Sequence, residues 1–190
     1  ILAAAIADIA AHGPDHWLCS GDICNFSLPS EFVAAGQWLA SVAGPDELSV
    51  VPGNHDALVP VAWAEGWAHW QPWMRGDGDE GRSSGSPFPY RRVRGEVAVI
   101  GLSSAVPTPP AFASGQLGRD QLEAFAELLQ ASAREGLARV VMLHHPPADG
   151  VVSARKALTD RTALREVLKQ HGAELVLHGH SRDARFDPVK

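Results

Sequence analysis

The segment Leu48-Ser49-Val50-Val51-Pro52-Gly53-Asn54-His55-Asp56 joins a short apolar run to a turn that carries amide, imidazole and carboxylate groups. The apolar run predicts a buried β-strand, and the Pro-Gly pair after it predicts a sharp turn. The polar groups therefore follow the end of a strand. Because α/β sheets build their sites at the carboxyl ends of strands, the segment predicts an α/β protein with a functional site at this turn.

Three other parts of the chain have the same form, an apolar run that ends in acid or imidazole groups. They are residues 17–22, 140–147 and 175–180. Carboxylate oxygen, amide oxygen and imidazole nitrogen are ligands for divalent and trivalent metals. The sequence therefore predicts a metal centre built from four strand ends.

Predicted strands and helices alternate along the chain, as expected for an α/β architecture. The apolar patterns and turn signals predict helices over 1–12, 29–43, 116–136 and 159–172, and strands over 15–20, 47–51, 90–93, 96–102, 138–143 and 173–178. Residues 60–74 carry tryptophans at steps of four, three and three, which is a helical stripe. This stripe either packs in the core or covers the sheet as a lid, or it forms a wall on which substrate stacks.

The bulk composition indicates one domain spanning residues 1–190. A net charge of −6 argues against an extended nucleic-acid surface, although a nucleotide could still be a substrate. Cys19 and Cys24 fit no disulfide or CxxC pattern, so we expect a reduced, cytoplasmic protein. No stretch approaches the ~20 apolar residues of a membrane span. The oligomeric state is not readable from the sequence.

Taken together, residues 17–56 and 138–182 resemble the calcineurin-like metallophosphoesterases, with G-D, then G-N-H-D, then H-H-P-P, then G-H in the same order and strand-end context. The likeness is greatest to small bacterial phosphoesterases, including the cyclic-nucleotide phosphodiesterase type. This resemblance implies a four-layer αββα sandwich, in which two mixed β-sheets are flanked by helices. It also implies hydrolysis of a phosphodiester or phosphomonoester in a small phosphorylated substrate such as a nucleotide.

The resemblance implies that Asp22, Asn54, His144 and His180 bind metal, with Asp22 shared by two ions in the complete protein. The ions would be Mn, Fe, Zn or Mg and would hold a bridging hydroxide that attacks phosphorus. His55 would be the general acid, close to the leaving-group oxygen.

Three neighbouring residues receive supporting roles. Related phosphatases orient the catalytic histidine with an aspartate, and at that position this chain has Asn25, whose amide oxygen we expect to accept the imidazole N–H. We expect His145 to lie behind the metal ligands or near the substrate. Asp56 is interpreted as a structural turn residue.

Two features depart from the family pattern. The second histidine of G-H-x-H is replaced by Arg182, which we expect to contact a phosphate oxygen. The family's first motif, D-x-H on a strand before the first helix, has no counterpart, and we attribute this to truncation; truncation at the C-terminus stays open. The chain as given is therefore expected to have weak activity or none. The alternative is a degenerate, metal-poor family member that acts as a binding scaffold.

Overall fold

In a computed structural model, residues 2–79, 86–181 and 186 are described. The α-helices are α1 (Leu2–Ala11), α2 (Pro29–Val42), α3 (Arg119–Arg134) and α4 (Arg161–His171). The strands are β1 (Trp17–Cys19), β2 (Leu48–Val50), β3 (Tyr90–Arg94), β4 (Val97–Gly101), β5 (Ala138–Leu143) and β6 (Leu175–His178). Short 3-10 helices span His55–Ala57, Trp63–Glu65, Trp67–Trp73 and Ala154–Lys156. No helix in these ranges is both long and apolar enough to cross a bilayer.

The strands form two sheets. β1 and β2 pair in parallel, with Cys19 opposite Val50. The second sheet has the order β3-β4-β5-β6, in which β3 runs antiparallel to β4 and the other pairs are parallel. The predicted α/β sandwich with two sheets is therefore confirmed. Within the described ranges only the larger sheet is mixed, because the smaller one consists of a single parallel pair.

Successive side chains of the central strands point to opposite faces of the larger sheet, so the hydrophobic core has one part on each face. Val99 and Met142 face the smaller sheet and α2, whereas Ile100 and Val141 face α3 and α4. A hydrogen bond also joins the two sheets, since the buried Tyr90 hydroxyl donates to the Val50 carbonyl at 2.8 Å. This packing fixes the carboxyl ends of β1, β2, β5 and β6 relative to one another.

The tryptophan stripe differs from its prediction as one helix. It forms two 3-10 helices, because Gly66 leaves helical geometry between them and Pro72 lacks the N–H that an α-helix requires. Trp70 and Trp73 are buried in the core and donate their indole N–H groups to backbone carbonyls of α2 and the residue after it. Trp63 and Trp67 are only partly buried and line a cavity.

Candidate metal centre

The first half of the site consists of the turns that follow β1 and β2. Parallel pairing of these strands places the turn at Asp22 beside the turn at Asn54. Gly21 has a φ of 93°, and a Cβ there would overlap the backbone of Gly53. A Cβ on Gly53 would in turn overlap Oδ1 of Asp22. The glycines next to the ligands therefore allow the two turns to lie in direct contact.

Asp56 anchors both turns. Its Oδ1 accepts the N–H groups of Ile23 and Cys24 at 2.9 and 2.7 Å, and its Oδ2 accepts those of Asp22 and Gly53 at 2.7 and 2.8 Å. Burial raises the pKa of this carboxyl to about 6, although the backbone N–H donors oppose the rise by favouring the ionised form. Asp56 therefore has the structural role expected of it: its one carboxylate holds together the two loops that carry the predicted ligands Asp22 and Asn54. It also supports Asp22 in its left-handed conformation, with a φ of 60°.

The second half of the site follows β5 and β6. Leu143 pairs with His178, so His144 lies beside Gly179, whose N–H donates to the His144 carbonyl at 3.0 Å. His180 then adopts a φ of 62°, in the left-handed region that few non-glycine residues occupy. This conformation brings its ring to 5.0 Å from the ring of His144, measured between centroids.

The four predicted metal ligands meet at one point. Nε2 of His144 lies 3.1 Å from Oδ1 of Asn54, 3.2 Å from Nδ1 of His180 and 3.4 Å from Oδ2 of Asp22. Donor atoms that surround an ion at about 2.1 Å are about 3.0–3.4 Å apart at octahedral and tetrahedral angles. The separations from His144 therefore match the edges of a metal coordination shell.

The proton on His144 shows why this cluster suits a cation. Its Nδ1 lies 2.7 Å from the carbonyl oxygen of Ser20, which can only accept, so the ring proton is on Nδ1. In the neutral ring Nε2 then has only a lone pair. That lone pair faces the amide oxygen of Asn54, a carboxylate oxygen of Asp22 and a nitrogen of His180. A group of lone pairs without protons between them is stabilised by a metal ion, and a carbonyl behind the ligand is the usual support for a metal-binding histidine.

The protonation states also suit a metal. Burial by itself raises the pKa of Asp22, but the nearby His144 and the N–H that His55 donates outweigh it, so that the pKa lies below its ordinary value. Burial, followed by the charge of His144, lowers the pKa of His180 to about 4. At neutral pH these groups are a carboxylate and a neutral imidazole, the forms that bind metals.

His145 lies behind the ligands. Its ring is 5.0 Å from that of His144 and 4.6 Å from that of His180. Nδ1 is 2.7 Å from the Ser104 hydroxyl and Nε2 is 3.1 Å from the Ala113 carbonyl, and the residue is fully buried. Burial, then the charges of the two other histidines, lowers its pKa to about 3. With both nitrogens engaged, His145 supports the ligands, and the predicted contact with substrate does not agree with this geometry.

His55 lies beside the ligands without joining them. Its backbone N–H donates to Oδ1 of Asp22 at 2.9 Å, and its carbonyl accepts from the Ser27 hydroxyl at 2.6 Å. Its Nδ1 donates to Asn25 at 2.9 Å, but the acceptor is the backbone carbonyl and not the predicted side-chain amide. The expected orienting contact is therefore present through a different atom, one that any residue at position 25 would supply.

Sequence reasoning missed Glu31, Ser27 and Ser104. The Glu31 carboxylate accepts the N–H groups of Asn25, Phe26 and Leu28, which fixes the loop that orients His55, and these bonds, led by that of Leu28, lower its pKa. A glutamate at the third position of α2 is a known signal of a helix start and could have revealed this contact. No comparable signal marks the two serines.

Among the predicted site residues, Arg182 lies outside the described part of the chain. In the described part, Asp22, His144 and His180 form a group of acidic and imidazole side chains able to hold an ion, with all ligand atoms within 4.8 Å of one another. Asn54 completes the set. The binding of two ions stays a prediction.

Comparison with known proteins agrees with this geometry. A family model described as calcineurin-like phosphoesterase matches residues 1–182 of the chain, and therefore includes all of the residues that surround the cluster. No curated protein matches the chain.

Proposed function

Because the chain belongs to the calcineurin-like phosphoesterase family, we propose that it hydrolyses a monoester or diester of phosphate in a small phosphorylated molecule, with metal bound at the cluster of His144. The observation that carries this proposal is the convergence of the four lone-pair donors on one point. The family is metal-dependent, and Mn, Fe, Zn and Mg all accept nitrogen and oxygen ligands of this kind. We further propose that the complete protein holds two ions.

The bound metal would supply positive charge that polarises the phosphoryl group and makes water more acidic. Asp22, Asn54, His144 and His180 would hold it. The Ser20 carbonyl keeps His144 in the tautomer that leaves Nε2 free, and His145 packs against two of the ligand rings. The proposed ligands are therefore supported from behind by a carbonyl and a buried histidine, a support that metal sites require.

His55 is suited to donate a proton to the leaving group. Its Nδ1 is occupied by the Asn25 carbonyl, so Nε2 is the nitrogen that would carry the transferable proton. The ring is partly exposed and can reach a bound ester. Because the backbone of the same residue is bonded to Asp22, the distance between the proton donor and the metal ligands is fixed. Proton donation by a positioned group typically contributes about 10²–10⁴-fold to the rate.

Arg182 retains its proposed contact with a phosphate oxygen. A guanidinium can bind two oxygens of a phosphate at once and stays charged at any accessible pH. In the sequence, Arg182 follows the proposed ligand His180 by two residues.

The test compares His144→Ala with His12→Ala, a matched substitution at an exposed residue directly after α1. Each protein is stripped with a chelator, reloaded with Mn²⁺, and assayed with p-nitrophenyl phosphate and bis(p-nitrophenyl) phosphate. We expect the wild type and His12→Ala to bind metal and to hydrolyse at least one ester, although slowly in the chain as given, and His144→Ala to lose both properties. Equal metal content and rate in the two variants would overturn the site. Metal binding without turnover in the wild type would favour the scaffold.

A further inference from the structure

A cavity of about 330 Å³ opens beside the turn that carries His55. Its lining is mostly apolar and includes Ala57, Val59, Trp63, Trp67, Ala105 and Pro107. None of the predicted metal ligands lines it, so the cavity is distinct from the metal cluster. Its volume lies at the lower end of the range for pockets that bind small organic molecules and suits one or two fused rings.

One wall of the cavity belongs to the turn of the proposed proton donor. Ala57 is two residues after His55 in the same 3-10 helix, a rise of about 4 Å. The indole N–H of Trp67 donates to the carbonyl of Asp56 at 2.9 Å, which fastens the tryptophan to that turn. The cavity wall is therefore only two residues away from the proposed proton donor.

Another wall of the cavity belongs to the segment behind the metal ligands. Ala105 follows Ser104, whose hydroxyl is 2.7 Å from Nδ1 of His145. His145 in turn packs at 4.6 Å against the ring of His180. Both walls are thus connected to the metal centre. One is connected through the turn that carries His55, and the other through Ser104 and His145.

The chemistry of the lining selects an aromatic occupant. Trp63 and Trp67 both line the cavity and pack edge to face against each other, at 77° with centroids 6.3 Å apart. The acidic group at the cavity is Asp56, whose carboxylate is 1% exposed and already accepts four backbone N–H groups. The described lining therefore offers stacking surfaces, and its one carboxylate is taken up by the protein itself.

We propose that this cavity binds an aryl or arylalkyl leaving group, so that the substrates of this protein are phosphate esters of aromatic alcohols. The inference rests on the proposed function, and it adds the class of alcohol that the ester releases on hydrolysis. Water would add to phosphorus as the bond to the alcohol oxygen breaks. That oxygen would take the proton from His55, which a proton of the water would replace, and the phosphate would remain on the side of the metal ligands.

The test measures binding of benzylphosphonate and methylphosphonate, which cannot be hydrolysed, to the Mn²⁺-loaded full chain by titration calorimetry. Burial of a phenyl ring predicts that the benzyl compound binds about tenfold more tightly or better. Val59→Trp adds bulk at a half-exposed point of the lining, and Trp63→Ala removes one aromatic wall. Val33→Trp is the matched control, since Val33 is 42% exposed against 45% for Val59 and does not line the cavity.

The expected result is a benzyl preference in the wild type and in Val33→Trp that falls to about threefold or less in Val59→Trp and Trp63→Ala. Equal binding of the two phosphonates by the wild type, or a preference that survives both variants, overturns the cavity proposal. If neither phosphonate binds, the metal-centre proposal fails instead. The cavity is then judged with benzyl alcohol alone, whose saturation-transfer NMR signal must appear with the wild type and vanish with Val59→Trp.

Discussion

Replacement of Asp56 by asparagine tests how the two ligand-bearing turns are held. The carboxylate accepts four backbone N–H groups at 2.7–2.9 Å, two on each oxygen, and is 1% exposed. An amide keeps one acceptor oxygen but directs its NH₂ group at two N–H donors. Two charge-assisted hydrogen bonds of about 1.5–3 kcal/mol each are then lost. Burial of the ionised carboxylate is itself unfavourable and raises the pKa of Asp56 to about 6. Removing this charge therefore offsets part of the loss. We expect a net destabilisation of about 2–4 kcal/mol.

The assay is urea unfolding of the chelator-treated protein at pH 7.5, where Asp56 is ionised. The matched control is Asp160→Asn, because the Asp160 carboxylate also accepts backbone N–H groups, from Leu117 and Gly118, but lies at the junction of α3 and α4 and not at the metal centre. With fewer donors involved, the control should lose about 1–2 kcal/mol. Metal affinity should fall in Asp56→Asn and stay unchanged in the control.

The reasoning is refuted if Asp56→Asn unfolds at the same urea concentration as the control and binds Mn²⁺ as tightly as the wild type. That outcome would mean that the turns at Asp22 and Asn54 hold their positions without the carboxylate.

Three further predictions concern single side chains. Asp22→Ala should abolish metal binding, because it removes the charged ligand of the cluster; elemental analysis that finds as much metal as in the wild type would contradict this. His55→Ala should keep its metal but lose about 10²–10⁴-fold in rate with alkyl esters and much less with p-nitrophenyl esters, whose leaving group needs little protonation; equal losses would exclude the proton-donor role. Burial, followed by the charges of Arg94 and Arg92, lowers the pKa of His16 to about 4, so its contribution to stability is complete above about pH 6.5 and is lost as the pH falls toward 4. His16→Gln should therefore weaken the decline of stability between pH 7 and 4 in unfolding experiments; an unchanged decline would assign it to other groups.

Much of the fold was predictable because the spacing of hydrophobic residues and the positions of turn residues determine local secondary structure. The strands β2 and β5 follow directly from apolar runs, and β3 and β4 form a hairpin whose turn is Gly95-Glu96. The tryptophan segment could not be predicted in the same way. Its helical spacing is real, but Gly66 and Pro72 convert one helix into two shorter 3-10 helices, and spacing alone does not reveal that outcome.

The candidate ligands were predictable because each follows a strand end in a recognisable motif. Their support was not, because it depends on contacts between distant segments. The Ser104–His145 bond and the Ser20–His144 bond join residues 41 and 124 positions apart. The Asn25 contact was predicted through the wrong atom for the same reason, since a sequence motif specifies side chains whereas the acceptor is a backbone carbonyl.

The most direct test of the central claim is anomalous diffraction from a crystal of this chain soaked in Mn²⁺. We expect a peak bonded to Oδ2 of Asp22 and Nε2 of His144 at about 2.0–2.3 Å, with Oδ1 of Asn54 and Nδ1 of His180 as the other protein ligands. The Nδ1 nitrogen of His144 should stay bonded to the Ser20 carbonyl. A crystal that shows manganese elsewhere, or that shows none at these four atoms although Mn²⁺ is in excess, would contradict the account.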